Sequence, residues 1–434
     1  MSARAAGGRL RQVIQGAARG AALSLRDLTV LEICRDPYRL DTPAGHRDGA
    51  WFAEQIRRFL RPGQTIHLRG LFYLVVAAGN VRKPDGTLVI NTDKIFEWLT
   101  DEAAKAARWL GYVPFDRIVD ERNAPPEFFL PEASPLSGWS LDAGEDAYLP
   151  DLEDALPSVQ ILGFDPPQPY RLIFVGEKTS LGTELREVAE DVGGELLLPA
   201  GELSDTLVAG IAERAAADGR PAAVFYFSDF DPAGRQMPIS LARKLQALRD
   251  LKYPDLQTEV HAVALTLEQV RDLDLPSTPL KEGEARADAW RAAMGHEQTE
   301  IDALLALHPG TVASLARKAV RPFWDETLQQ RANAVRQGLV SAAQDRLRGH
   351  PDYAATVLEI EAALENATVA VDAFHQAQAA ARDILEEIEL PDLKAPEAEL
   401  GGNPPLPLFT TDDDFVTASQ RLISHKALDV RCSP

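Results

Sequence analysis

The chain has 434 residues, with 66 Asp and Glu against 45 Lys and Arg, for a formal net charge of −21. That length allows two or three domains with cores of their own. Two cysteines, Cys34 and Cys432, and eight scattered histidines in no zinc-site spacing exclude a disulfide framework and leave no expectation of zinc.

Residues 1–23 place Arg4, Arg9, Arg11 and Arg19 among Ala and Gly. They lack the apolar region of a secretory signal and are expected to form a flexible basic tail. No apolar run approaches the roughly 20 residues that cross a bilayer, so a cytoplasmic protein with no membrane partner is expected.

Residues 24–123 read as one helical domain. Ser24-x-x-Asp27 is a capping-box pattern, and Trp51, Phe52, Ile56, Phe59 and Leu60 recur at helical spacing. Residues 65–78 hold a short helix entry and an apolar run, Lys83-Pro-Asp-Gly86 signals a turn, and 92–110 return to helical periodicity. Helices joined by short turns suit a helix-turn-helix or winged-helix module. Residues 50–123 carry 11 Lys and Arg against 9 Asp and Glu, a net of +2. Residues 124–170 carry nine acids, no Lys or Arg and nine prolines, which predicts an acidic linker or wrapping segment. The overall charge therefore weighs against nucleic acid without barring a local site.

From 171 the pattern changes. Short apolar runs at Arg171–Gly176, Glu195–Leu198, Ala222–Phe227 and Val260–Leu265 alternate with helical segments. Strands alternating with helices predict a parallel sheet covered on both faces, here over 171–310. Residues 311–390 are expected to be helical, with 353–390 a long helix or hairpin. Residues 391–434 are Pro- and Gly-rich at their start and are expected to form a mobile tail with one short helix. The predicted fold class is multi-domain α/β.

Two places carry chemistry. The first run ends at Gly176-Glu177-Lys178 and the third at Ser228-Asp229-Phe230-Asp231-Pro-Ala-Gly234. Ligands of a parallel sheet gather at the carboxyl ends of its strands. Glu177, Asp229 and Asp231 would repel one another there unless a cation lay between them, and Mg²⁺, with Mn²⁺ as a substitute, suits such oxygen donors. Asp231 followed by Pro232 also reads as a helix N-cap. Gly176-Glu-Lys-Thr179 is not a phosphate loop, no GxGxxG follows a strand and no GxSxG occurs.

Glu177 on the first strand and Asp229-x-Asp231 on the third resemble the Toprim domain of topoisomerases, primases and related nucleases. Upstream, His67-Leu-Arg69-Gly-Leu-Phe72-Tyr73 is similar to the tyrosine segment of the topoisomerase VI A subunit and its meiotic double-strand-break relative, including a bacterial stand-alone branch. Ala107-Arg108-Trp-Leu-Gly111, Ile118-Val-Asp120-Glu-Arg122 and Glu300-Ile-Asp302-Ala-Leu304 resemble later segments of that family, so the likeness spans roughly 65–310. Gly70 departs from it, since the family usually has an acid there.

The resemblance implies a winged-helix domain followed by Toprim, and DNA cleavage in which Tyr73 attacks the backbone to leave a 5′-phosphotyrosine. Arg69, one helical turn before Tyr73, would hold the phosphate, and Glu177, Asp229 and Asp231 would hold Mg²⁺. Lys178, Arg82 and Lys83 are candidate DNA contacts. A homodimer is implied, and strand passage would need a separate ATPase subunit. Alternatives are a Toprim nuclease using activated water, with Tyr73 a core aromatic, or a non-catalytic DNA-binding subunit.

Overall fold

Arg171–Gly176 and Ala222–Phe227 are apolar or small at nearly every position, and such runs fold as strands covered on both faces. The computed structural model describes residues 9–32, 35–119, 124–129, 138–142, 144, 151–281, 284–366, 371–402 and 404–431. Cys34, Cys432 and the Asp120–Arg122 motif lie outside the described residues. Both apolar runs are central strands, buried at every position.

The chain has strands β1 (Glu127–Phe128), β2 (Gly138–Asp142), β3 (Ser158–Leu162), β4 (Arg171–Gly176), β5 (Glu195–Leu197), β6 (Ala222–Phe227), β7 (Thr258–Ala264) and β8 (Phe409–Thr410). Six of them form one sheet in the order β1-β5-β4-β6-β7-β8. The inner four run parallel, as predicted. The expectation of an all-parallel sheet is corrected at its margins, where β1 and β8 pair antiparallel. Each margin pairing covers two residues, too few for a period-2 signal to show in sequence. At the start of β4 the buried Arg171 bonds Glu195 at 2.8 Å and Asp218 at 3.1 Å, and Arg214 also pairs with Glu195. A buried carboxylate on a central strand persists only with such partners.

Two compact units are present. The first comprises Met1–Leu130, Tyr170–Phe323 and Gly402–Pro434. Its helices include α1 (Arg9–Gly20), α2 (Pro43–Phe59), α3 (Leu68–Ala77), α4 (Asp205–Asp218), α5 (Pro232–Leu251), α6 (Ile301–Leu307) and α7 (Phe415–Arg431). Between α3 and the sheet, Asp93–Glu97, a π-helical stretch Trp98–Ala103 and Ala104–Trp109 run on continuously. They pack with α2 and α3 around Phe52, Ile56, Leu71, Phe72, Val75, Leu99 and Ala107. One face of the sheet is covered by α4 and α5 through Val208, Ile211, Ile239 and Leu245.

The same cluster includes Leu10, Ile14 and Ala18 of α1, and Phe409, Ala418 and Leu422 near the other end of the chain. The expected flexible tail over 1–23 is therefore a packed helix across residues 9–20, and the expected mobile tail contributes a strand and a long helix. The apolar spacing 10, 14, 18 is helical, but Arg11, Gln12, Gln15 and Gly16 between those positions hide it. A buried ion pair fastens this region: Arg243 Nε donates to Asp36 Oδ1 at 2.9 Å, with both side chains wholly buried. Arg243 also donates to Gln246 at 2.8 Å, Ser419 at 3.1 Å and the Leu28 carbonyl at 3.2 Å, and lies over the Tyr38 ring.

The second unit is Pro131–Pro169 with Trp324–Gly401. The 124–170 segment is thus not a linker among its described residues. β2 and β3 pair antiparallel, Gly138 opposite Leu162, and Trp139 donates to the Pro391 carbonyl at 3.0 Å. Helices Leu328–Arg348, Tyr353–Glu365 and Val371–Glu387 supply the rest. The last two meet through Ile360, Ala363, Phe374 and Ala377, so the stretch expected to be a long helix or a hairpin holds two packed helices. The helical region begins later than predicted, because Thr311–Val320 belongs to the first unit. No helix among the described residues is long and apolar enough to cross a membrane.

Asp36→Ala would leave Arg243 buried and unpaired. It is expected to cost roughly 3–5 kcal/mol, read as a lower midpoint in chemical denaturation.

Candidate active site

The parallel register sets Gly176 opposite Phe227, so β4 and β6 end side by side. Glu177 N donates to the Phe227 carbonyl at 2.9 Å, which continues the ladder one residue further. Past β6 the chain turns straight into α5. Asp231 is its N-cap, accepting from Gly234 N at 2.6 Å, and Pro232 occupies the first turn as the sequence implied. A Cβ at position 234 would stand 2.2 Å from the Asp229 carbonyl oxygen, so only glycine lets α5 begin this close to the strand end.

This geometry joins Glu177 and Asp229 directly and leaves Asp231 near enough for its charge to act on both. Glu177 Oε2 accepts from Asp229 N at 2.9 Å, tying the end of one strand to the end of the next. Asp229 Oδ1 accepts from Ile301 N at 2.8 Å, and its Oδ2 lies 3.0 Å from Lys178 Nζ. The Ile301 contact draws in residues that the sequence reading named only as part of a resemblance. Glu300 and Asp302 flank Ile301 at the start of α6 and lie 3.2 and 3.0 Å from Lys178 Nζ. Ser180 Oγ donates to Asp302 Oδ1 at 2.6 Å. An acid-x-acid pair beginning a helix was visible in sequence, but nothing local placed it beside β4.

The electrostatics are strained toward the neutral acid. Burial, and then the charges of Asp229 and Asp231, push Glu177 from 4.5 up to about 7. Burial also pushes Asp229 up, against the Ile301 amide and Lys178. Lys178 goes the other way. Burial opposes its charge, but bonds to Asp229 and Asp302 outweigh that and raise it. The all-oxygen donor set and the mutual repulsion of Glu177, Asp229 and Asp231 fit Mg²⁺ or Mn²⁺. Among the described residues no three His, Cys, Asp or Glu side chains stand as a ready metal cluster. The ammonium of Lys178 lies among three of the acids instead.

Tyr73 and Arg69 share α3, one turn apart. Tyr73 is 51% exposed, so it is not the core aromatic that its apolar neighbours suggested. Phe72, beside it, takes the buried position. The Arg69 guanidinium lies 3.9 Å over the Phe96 ring. No hydrogen bond joins Tyr73 to Glu177, Asp229 or Asp231 among the described residues. Arg82 is exposed and donates to the Gly86 carbonyl at 2.8 Å within the predicted turn. Lys83 is mostly buried over the Trp98 ring and 3.4 Å from Asp85, so its charge is already engaged.

Arg69 also lines a cavity of about 520 Å³ between the helical layer and the carboxyl end of the sheet. Its floor is a buried network in which Asp205 meets Lys244 at 3.0 Å, Arg108 at 3.4 Å and the Trp109 indole at 3.0 Å. Burial alone would raise Asp205, but Lys244 and Arg108 overcome it and hold the carboxyl well below its usual range.

No protein-family model matches this chain, and no curated protein matches it.

Folding raises Glu177, so its ionisation opposes the folded state. That cost is absent below pH about 4.5, grows as the pH climbs and is complete above about 7. In metal-free buffer Glu177→Gln is expected to match the parent near pH 4.5. At pH 8 it should exceed it by on the order of 2 kcal/mol, measured as melting temperature against pH.

Proposed function

We propose that this chain is a DNA-cleaving enzyme of the Toprim type, related to the topoisomerase VI A subunit. The observation that carries the reading is the hydrogen bond between Asp229 and Glu177 at the ends of adjacent parallel strands, with Asp231 close enough to act on both charges and Glu177 pushed up to about 7 by burial and by its neighbours. Acids placed to repel one another mark a site for a cation. A helical module bearing an exposed tyrosine and an arginine one turn before it, N-terminal to the sheet, supports the same reading.

Glu177, Asp229 and Asp231 would hold Mg²⁺. When bound it neutralises charge on the scissile phosphate and the leaving oxygen. Phenols are weak nucleophiles near neutrality, so attack needs the phosphate fixed and its charge offset. Arg69 does the first of these, its guanidinium plane steadied on Phe96 and its N–H groups turned to phosphate oxygens. The Tyr73 oxygen then bonds to phosphorus, the bond from phosphorus to the 3′ oxygen breaks, the phenolic proton passes to solvent and the leaving 3′ oxygen takes up a proton from solvent. The products are a 5′-phosphotyrosine and a free 3′-hydroxyl. In this reading the tyrosine of one subunit serves the acids of another, so the enzyme is a homodimer. A separate ATPase subunit would supply strand passage. Of the two turn residues, Arg82 is the DNA contact that the geometry favours.

The test is supercoiled plasmid incubated with protein and Mg²⁺ or Mn²⁺, stopped with SDS, with and without proteinase. DNA retarded until protease treatment is the expected result. Tyr73→Phe should abolish that adduct, and Asp229→Ala should lower cleavage at least ~100-fold with DNA binding retained. Cut DNA carrying no protein would replace this mechanism with hydrolysis by activated water. Absence of cleavage with either metal would overturn the enzymatic reading in favour of a binding subunit.

A further inference from the structure

Lys178 follows Glu177 directly, and its half-buried side chain turns toward other acids. Its Nζ lies 3.0 Å from Asp229 Oδ2, 3.2 Å from Glu300 Oε2 and 3.0 Å from Asp302 Oδ2. An ammonium has three N–H donors and no acceptor. Three carboxylates from two separate parts of the chain take all of them, so none is left for a phosphate. The partners are themselves held in place. Ser180, two residues on, fixes Asp302, and the Ile301 amide fixes Asp229 through Oδ1.

That last bond decides what a metal would meet. Asp229 Oδ1 already accepts from the Ile301 amide and Oδ2 from the ammonium, so a metal would have to use a carboxylate that is engaged at both oxygens. A divalent ion on Asp229 and the Lys178 ammonium would then share one carboxylate, two cations within a few ångströms in a half-buried site. Their repulsion there is much stronger than in water.

We infer that Lys178 is a built-in counter-cation that competes with the divalent metal for Asp229. It holds the acid cluster together in the metal-free protein and sets the metal affinity of the site. The inference rests on the metal reading above, and it adds a role for Lys178 that precedes any contact with DNA. Metal loading on Asp229 releases one of the three ammonium donors, and only then is one available to a phosphate.

The experiment counts bound Mn²⁺ by electron paramagnetic resonance of the free ion, in the full-length protein without DNA, for the parent, Lys178→Met and Lys178→Arg. Lys178→Met is expected to bind Mn²⁺ about tenfold more tightly, because the competing charge is gone. It should also melt lower than the parent in EDTA and gain more from added Mg²⁺. Lys178→Arg keeps the charge and should stay within about threefold of the parent. Circular dichroism checks folding, and Lys178→Gln, which retains a donor for the acids, stands in if the Met variant does not fold. Binding by the parent with equal or weaker binding by the Met and Gln variants would overturn the competition and leave the metal site standing. No Mn²⁺ binding by any form would overturn the metal reading, and the competition with it.

Discussion

The hydrogen bond from Asp229 N to the Glu177 carboxylate ties the ends of the two central strands together. It exists because β4 and β6 are parallel neighbours in register, ending together at Gly176 and Phe227. A shift of one residue in either strand would turn every side chain to the opposite face and separate the acids. Four inner strands buried on both faces leave little freedom for such a shift, so the core that stabilises the sheet also sets the spacing of the site. The turn into α5 adds Asp231 as a cap, and the missing Cβ at Gly234 lets the helix start against the Asp229 carbonyl.

A second buried network joins the tyrosine-bearing layer to this sheet. Asp205 begins α4 and binds Lys244 of α5 together with Arg108 and Trp109 from the helical stretch after α3. Burial of such charges is costly, and their attraction offsets it only when every partner is present. The arrangement specifies one way for the two layers to meet, leaving Arg69 at a cavity between them and Tyr73, one turn further along α3, exposed.

Charge is managed locally throughout. The chain carries −21 overall, yet its buried acids are met individually: Glu195 by two arginines, Asp36 by Arg243 and Asp205 by Lys244 and Arg108. The strand-end site departs from this pattern. Asp229, Glu300 and Asp302 surround the Lys178 ammonium, and of the acids at the strand ends Glu177 and Asp229 are pushed toward their neutral forms.

The amino-acid sequence by itself determined the four inner strands, because runs such as Ala222–Phe227 are apolar throughout and bounded by turn residues. It determined the Asp231–Pro232 helix start and the turn at Gly86 for the same reason: each depends on residues a few positions apart. Glu177 and Asp229, 52 residues apart, were brought together only by the register of the sheet. Tertiary structure alone decided the rest. The helical spacing of Leu10, Ile14 and Ala18 meant nothing until α5 and the sheet covered it, and the two-residue strands β1 and β8 exist only as partners of β5 and β7. The proline-rich segment found its place through a hairpin whose strands lie between the prolines. Tyr73 lay in an apolar run where periodicity alone could not choose which of two adjacent aromatics faces the core, and packing buried Phe72. Lys178 and Asp302 are 124 residues apart in sequence and 3.0 Å apart in the fold, a distance set by how the chain returns to the sheet rather than by any local preference.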